Sequence, residues 1–144
     1  MTTVHTGYKY RVYPTPEQEE YLNRAIGSTR KLYNLLLEGK NSNYAAYKNG
    51  EVTKDQLKTL DKELTPQYFK NQEEYSYLKE VDNTALSASW LNLNKAFQKF
   101  FNKEAGCPKF KSKNKHKWSF TSSVSNKKHP NVRISAEGLK LPKV

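Results

Sequence analysis

The clearest hydrophobic pattern in the chain begins after Asp82, where apolar side chains recur every three or four residues. This spacing places them on one face of a helix, for which Asp82 is the predicted N-cap. The apolar positions are Leu86, Trp90, Leu93, Phe97, Phe100 and Phe101. We therefore predict an amphipathic helix whose aromatic face packs into the core.

A second helix is predicted from Pro16. Thr15 followed by Gln18 has the spacing of a capping box, and proline is favoured at the first helical position. The apolar positions that follow keep helical spacing: Leu22, Ala25, Ile26, Tyr33, Leu36 and Leu37. Gly27 indicates either a kink or a break between two helices. The segment after Gly39 either prolongs the helix or forms a separate short one.

The middle of the chain predicts shorter elements. Thr53 has the spacing of another capped start, and Leu57, Leu60 and Leu64 form one apolar helical face that the Thr-Pro pair at 65–66 ends. Residues 67–80 are rich in Tyr and Glu, and their pattern fits either a loop or a broken helix.

Strands are predicted at both ends of the chain, where bulky and polar residues alternate with a period of two. Residues 8–13 alternate in this way, with Lys9 and Arg11 on one face, and residues 118–124 are rich in strand formers. Residues 132–134 and 139–141 are predicted to pair as a hairpin through the turn at 136–138. Strands that bracket a helical region indicate an α+β fold.

Positive charge is concentrated in the last third of the chain. Residues 103–144 contain eleven Lys or Arg and two Glu, a net charge of +9 within the total of +11. Lysines occupy alternate positions at Lys109, Lys111, Lys113, Lys115 and Lys117. Such a basic segment binds polyanions because phosphate contacts release condensed counterions. The alternatives are that these lysines only solubilise an edge or a linker, and that Trp118 and Phe120 either stack on bases or pack on the aromatic helix.

Composition narrows the functional class further. The chain has 144 residues, enough for one domain with its own core, and a single cysteine, which fits a reducing cytoplasm. We expect no membrane partner, because no apolar run approaches the roughly 20 residues of a spanning helix. His5, His116, His129 and Cys107 lack the close spacing of metal ligands, and no nucleophile has an evident base. We therefore expect neither catalysis nor a cofactor in this chain.

Four ordered segments resemble the OrfB/TnpB family of insertion-sequence transposases. They are YKYRVYPTPEQEEYLNRAIGSTRKLYN, YLKEVDNTALSASWLNLNKAFQKFF, GCPKFKSKNKHKWSFT and LKLPKV. The resemblance implies a helical recognition lobe, with a proposed helix-turn-helix, inserted between strands of a wedge-type β-barrel. Residues 1–15 would be the first barrel strand, 16–104 the helical region, and 105–144 a basic loop with further strands of a partial barrel, incomplete at the C-terminus.

The same resemblance implies a role in transposition and RNA-guided DNA recognition, with DNA and a guide RNA from the element as partners. Its DNA-motif-reading positions would fall on Asn83, Thr84, Ser87, Thr121 and Ser122. Candidates for phosphate contacts are Lys9, Arg11, Lys109, Lys111, Lys113 and Lys117. Where this chain has Ser87, the family often has Gln, and serine cannot make a bidentate contact to adenine.

Family members continue into a RuvC-like nuclease that holds divalent metal and into a four-cysteine zinc ribbon. This chain ends before either, so we expect a truncated protein that binds nucleic acid without nuclease activity of its own. A separately encoded C-terminal remainder is a further possible partner. Two alternatives stay open: a stand-alone repressor that competes with full-length relatives, and a relic with no selected role.

Overall fold

The computed structural model describes residues 2–115, 118–124 and 128–144. In these ranges the helices are α1 (Pro16–Lys48), α2 (Lys54–Glu63), α3 (Pro66–Lys70) and α4 (Asn83–Phe101), with a 3₁₀ segment at Glu73–Glu80 between α3 and α4. Two strands follow, β1 (Arg133–Ser135) and β2 (Gly138–Lys140). No helix in the described ranges combines the length and the apolar character that crossing a membrane requires.

Helix α1 begins as its sequence predicts. The Thr15 hydroxyl accepts a hydrogen bond from the Gln18 backbone N–H at 3.3 Å, and the Gln18 side chain accepts one from the Thr15 N–H at 2.9 Å. Both bonds satisfy N–H groups that have no partner within the helix. Of the alternatives left open by the two glycines, the continuous helix is correct, because α1 runs unbroken through Gly27 and Gly39 for 33 residues.

The two glycines of α1 differ in what surrounds them, and this difference predicts opposite effects of alanine. A Cβ at Gly27 would meet nothing within 4 Å, whereas one at Gly39 would lie 2.8 Å from Cδ2 of the buried Leu64. Gly27→Ala should raise the free energy of unfolding by about 0.5–1 kcal/mol through helix propensity. Gly39→Ala should lower it by about 1 kcal/mol or more, because Leu64 must move.

Urea denaturation of both variants, followed by far-UV circular dichroism, measures these changes. Each variant is the other's control, since both place the same residue in the interior of the same helix. Stabilisation of equal size in both variants would contradict the close approach of Leu64 to α1.

Helix α2 also starts at its predicted cap, whereas the pair Thr65–Pro66, predicted only to end a helix, also starts α3. Thr53 and Gln56 form a second capping box before α2, and the Thr65 hydroxyl accepts from the Tyr68 N–H at the start of α3. Residues 67–80 combine the end of α3 with the 3₁₀ segment, which agrees with the broken-helix alternative. Helix α2 lies against α1, where the Asn43 amide donates to the Asp61 carboxylate at 3.0 Å.

The core forms where α4 packs along α1 and the 3₁₀ segment closes one side. Its largest fully buried side chains are all leucines: Leu32, Leu36, Leu37, Leu78, Leu86 and Leu93. Trp90 and Phe97 are partly buried against this cluster, as the predicted aromatic face requires. The prediction was wrong for Phe100 and Phe101, which are exposed and tilt against each other at the end of α4.

The predicted α+β fold with a partial wedge-type β-barrel is wrong. The described ranges are mostly helical, and their one sheet is the antiparallel pair β1–β2, with Ile134 opposite Leu139. The hairpin was therefore predicted correctly, but residues 8–13 and 118–124 do not form strands. Alternation specifies which side chains share a face, whereas a strand also needs a partner backbone. All four helices lie within residues 16–104, but the division into three regions stays a prediction.

Candidate nucleic-acid interface

One side chain of α1, that of Asn34, holds the lysine-rich segment, which begins at Lys109. The Asn34 amide nitrogen donates to the Lys111 carbonyl, and the Lys111 N–H donates to the Asn34 amide oxygen, both at 2.8 Å. One amide thus satisfies both backbone polar groups of Lys111, as a neighbouring strand would do in a sheet. We call this pair of bonds the Asn34 clip. It places the basic segment on the helical core without a β-ladder.

The predicted phosphate-binding lysines in this segment have different surroundings. The Lys111 ammonium lies 4.2 Å from the centroid of the Tyr33 ring, and burial lowers the pKa of Lys111 and raises the pKa of Tyr33. Lys113 lies 5.1 Å from the Trp118 ring, whose indole N–H donates to the Lys113 carbonyl. Lys109 is exposed.

The remaining predicted phosphate contacts lie elsewhere in the chain. Lys9 and Arg11 are exposed in the segment before α1, and the Arg11 guanidinium carbon lies 5.9 Å from the Tyr13 ring centroid. Lys117 falls outside the described residues. The cationic side chains therefore occupy at least two separate parts of the sequence, and only the later part is clipped to α1.

A buried carboxylate joins two of the five predicted motif-reading residues. Asp82 is buried, and it accepts hydrogen bonds from the hydroxyls of Ser122, at 2.8 Å, and Thr84. The two hydroxyl oxygens are 3.0 Å apart, and the Ser123 N–H donates to Thr84 at 3.1 Å. We call these residues the Asp82 cluster. It ties residues 122–123 to the start of α4.

The role predicted for Asp82 was only partly correct. It occupies the N-cap position of α4, but its side chain makes no capping bond to the helix backbone. The carboxylate is instead used by Thr84 and by Ser122, which is forty residues further along the chain. No local pattern around Asp82 marks such a distant partner, so sequence reasoning missed the cluster.

Asn83 and Ser87, two other predicted motif readers, face a different and open cleft of about 370 Å³. Its lining includes Trp90 and Lys70, whose ammonium donates to the Asn83 side-chain oxygen. Burial, and then repulsion from Lys143 and Lys79, lowers the pKa of Lys70. These cations and the positive end of the α4 dipole lie near the carboxylate of Asp82, which already places a negative charge at this helix start.

Thr121, the fifth predicted motif reader, lines a cavity of about 230 Å³ together with Arg30, Asn92 and Phe120. Phe120 also packs against the core, whereas Trp118 is exposed beside Lys113. The five predicted positions thus lie in three places, namely the Asp82 cluster, the open cleft and this cavity. Their predicted role in reading DNA stays a prediction. Within the described ranges, no three His, Cys, Asp or Glu side chains are grouped so that they could hold a metal ion.

Comparisons with known proteins identify the family. Residues 1–49 match the helix-turn-helix domain model of the OrfB, IS605 type. A Streptomyces pristinaespiralis protein named "Putative RNA-guided DNA endonuclease" is 36% identical over 119 residues, which are 83% of this chain and 28% of that protein. The Salmonella dublin "Virulence protein VsdF" is 34% identical over 110 residues, which are 73% of this chain and 91% of that protein. The chain belongs to the OrfB/TnpB family.

Membership of the OrfB/TnpB family confirms the resemblance seen in the four sequence segments. The matched model describes a helix-turn-helix, a class of DNA-binding domain, and so relates this family member to DNA-binding transposase domains. This chain spans 28% of the Streptomyces relative and nearly the whole of the Salmonella one.

The helices of this OrfB/TnpB member are not arranged as a helix-turn-helix, the domain type that the matched family model describes. A helix-turn-helix joins two helices through a turn of three or four residues. Residues 16–48 are instead the single helix α1, and α2, which packs on it, starts beyond the matched residues. The described part of residues 1–49 therefore contains one long helix and not a two-helix unit.

Proposed function

We propose that this OrfB/TnpB-family chain is a nucleic-acid-binding module that holds the backbone of DNA or of a structured guide RNA. The observation that carries the proposal is the basic segment of net charge +9, clipped to the rigid helical core through Asn34. The name of the Streptomyces relative supports RNA-guided DNA recognition as the wider process. In this proposal, any cutting of DNA requires a catalytic centre outside these 144 residues.

The contacts divide into positioning and reading. Exposed cations such as Lys109 and Lys113 contact phosphates, which fix register and orientation without specifying sequence. Lys111 holds the segment against Tyr33, so its contribution is to place its neighbours. An anion that follows this segment remains close to α1, to which the Asn34 clip holds the segment.

The motif-reading side chains of this proposal are Asn83 and Ser87, because both face the open cleft. Asparagine can pair with adenine through two hydrogen bonds, whereas serine has a shorter reach. Lys70 attracts the neighbouring phosphate. Thr84 and Ser122 serve the reading indirectly, since their hydroxyls are engaged in the Asp82 cluster and hold the helix start in place.

A salt series tests the phosphate contacts. The purified chain is titrated with a labelled structured RNA from its own locus and with random duplex DNA at several salt concentrations. We expect Lys109→Gln together with Lys113→Gln to weaken binding and to reduce the slope of log affinity against log salt by about 2, one unit for each lost phosphate contact. Lys54→Gln together with Lys58→Gln, at two exposed positions of α2, is the matched control and should leave the slope unchanged.

Equal slopes for both double variants would contradict binding through the basic segment. A preference for the RNA that persists at high salt supports recognition of a structured guide. If RNA and duplex DNA bind equally and both affinities fall with the same steep salt dependence, the segment acts as a nonspecific polycation. That result would contradict the guide-RNA part of the proposal.

A further inference from the structure

The segment before α1 displays three tyrosines that the core does not use. Tyr8 is 77% exposed, Tyr10 65% and Tyr13 83%, and none belongs to the hydrophobic cluster or packs against it. The rings of Tyr8 and Tyr10 stack with centroids 6.5 Å apart and planes 26° apart. A run of exposed aromatic rings is costly to leave in water unless a ligand covers it.

Cations alternate with these tyrosines along the sequence. Lys9 separates Tyr8 from Tyr10, and Arg11 lies over the Tyr13 ring at 5.9 Å. Residues 2–14 contain no acidic side chain. The segment therefore offers flat apolar faces and positive charge in alternation, which are the two features that a flexible strand of nucleotides requires.

We propose that Tyr8, Tyr10 and Tyr13 form a stacking platform for the bases of a single-stranded nucleic acid, whose phosphates Lys9 and Arg11 hold. This inference rests on the proposed nucleic-acid-binding function and adds that one of the ligands is single-stranded. In a duplex the base faces are covered by neighbouring bases, so the rings can stack only on an unpaired strand. The platform consequently distinguishes single strands from duplexes, which phosphate contacts alone do not do.

The surface beside these tyrosines would also fit a different ligand, an extended peptide. Tyr10, Val12 and Tyr13 line a groove of about 560 Å³ with Ile134 and Leu139 of the hairpin, and an apolar extended peptide could enter it. Net charge favours the nucleic acid: Arg11 lines the groove, and Lys9, Arg133 and Lys140 are neighbours of lining residues in the sequence, against one acidic lining residue, Glu137.

The full chain tests this inference with two probes: a labelled oligothymidine of about a dozen nucleotides and a random duplex of the same length. The variant Tyr8→Ala, Tyr10→Ala, Tyr13→Ala should bind the oligothymidine at least about tenfold more weakly, because it loses several stacking contacts. Its affinity for the duplex should change less than about twofold. The triple Tyr→Phe variant keeps the rings and should retain binding to the single strand.

The chain provides a matched control on α1. Tyr44 and Tyr47 are also exposed, with ring centroids 6.2 Å apart and Lys48 near the Tyr44 ring, but they form one pair on a helix and not a run of three before it. Tyr44→Ala together with Tyr47→Ala should leave affinity for the oligothymidine unchanged. Far-UV circular dichroism checks that each variant keeps its helices, which is expected because residues 8–13 lie outside the core.

Three results would overturn the stacking platform. The first is unchanged oligothymidine binding by the triple alanine variant, and the second is an equal loss for both probes. The third concerns the groove. If the triple alanine variant loses concentration-dependent self-association, measured by sedimentation, but still binds the oligothymidine, the groove binds a protein strand. Binding of duplex through the basic segment would survive the first and the third result, so the platform can fail while the proposed function stands.

Discussion

Replacing Leu93 by alanine is expected to lower the free energy of unfolding by about 2–5 kcal/mol. Leu93 is 0% exposed in the middle of α4, where it contributes to the leucine core shared with α1. Alanine removes apolar contacts and leaves a cavity that the surrounding helices can fill only in part. Since small domains are stable by roughly 5–15 kcal/mol, this single change removes a large share of the total.

Leu91 provides the control, because it lies on the same helix and is 53% exposed. Leu91→Ala makes the same change in helix propensity and should shift the free energy of unfolding by about 0.5 kcal/mol or less. Urea denaturation followed by far-UV circular dichroism measures both variants. Costs of similar size would mean that α4 does not bury the face assigned to it.

Asp82→Ala is expected to cost about 1–3 kcal/mol, since it leaves two partly buried hydroxyls without their shared acceptor. The change should also release residues 122–123 from the start of α4, because the carboxylate links Ser122 and Thr84. Thermal unfolding gives the cost. Trypsin cleavage after Lys115 or Lys128, both exposed, reports the release as faster digestion.

A double-mutant cycle separates this linkage from a general loss of stability. If Ser122 and Asp82 interact as the structure places them, the combined variant Asp82→Ala with Ser122→Ala should cost less than the sum of the two single changes, by about 0.5 kcal/mol or more. Strictly additive costs would show that the carboxylate stabilises α4 independently of Ser122.

The parts of the fold that could be predicted from the sequence are those set by neighbours in the chain. The starts of α1 and α2 depend on Thr and Gln three residues apart, and the hairpin depends on its turn, so each signal lies within a few residues. The helical spacing of Leu86 and Leu93 likewise indicated that both are buried. Local signals of this kind need no knowledge of the tertiary structure.

The barrel was wrong because strand pairing is a long-range property. Residues 8–13 have the alternation of a strand, but no neighbouring backbone bonds to them in the described part of the chain. The lysine-rich segment and residues 118–124 are instead held by side chains. Asn34 reaches Lys111 across 77 positions, and Asp82 reaches Ser122 across 40. A single amide or carboxylate leaves no periodic trace in the sequence, so neither contact could be predicted.

The candidate site also has features that the sequence shows and features that depend on distant contacts. Its charge is visible in the sequence, which places eleven Lys or Arg in residues 103–144. The accessibility of each member was not visible, because it depends on those same distant contacts. Lys111 is held on Tyr33, and Thr84 is engaged with Asp82, whereas Asn83, the residue beside Thr84, faces an open cleft.

The Asn34 clip also determines which part of this protein can detach without global unfolding. Releasing the lysine-rich segment breaks two hydrogen bonds and the contact of Lys111 with Tyr33, but the described part of the segment contributes no residue to the buried leucine core. Its free energy of opening should therefore be well below that of global unfolding. The Lys111 amide is a natural probe, since its hydrogen-exchange rate reports this partial opening while the amides of α4 report the whole. The positive charge can thus be rearranged around a ligand while the helices stay folded.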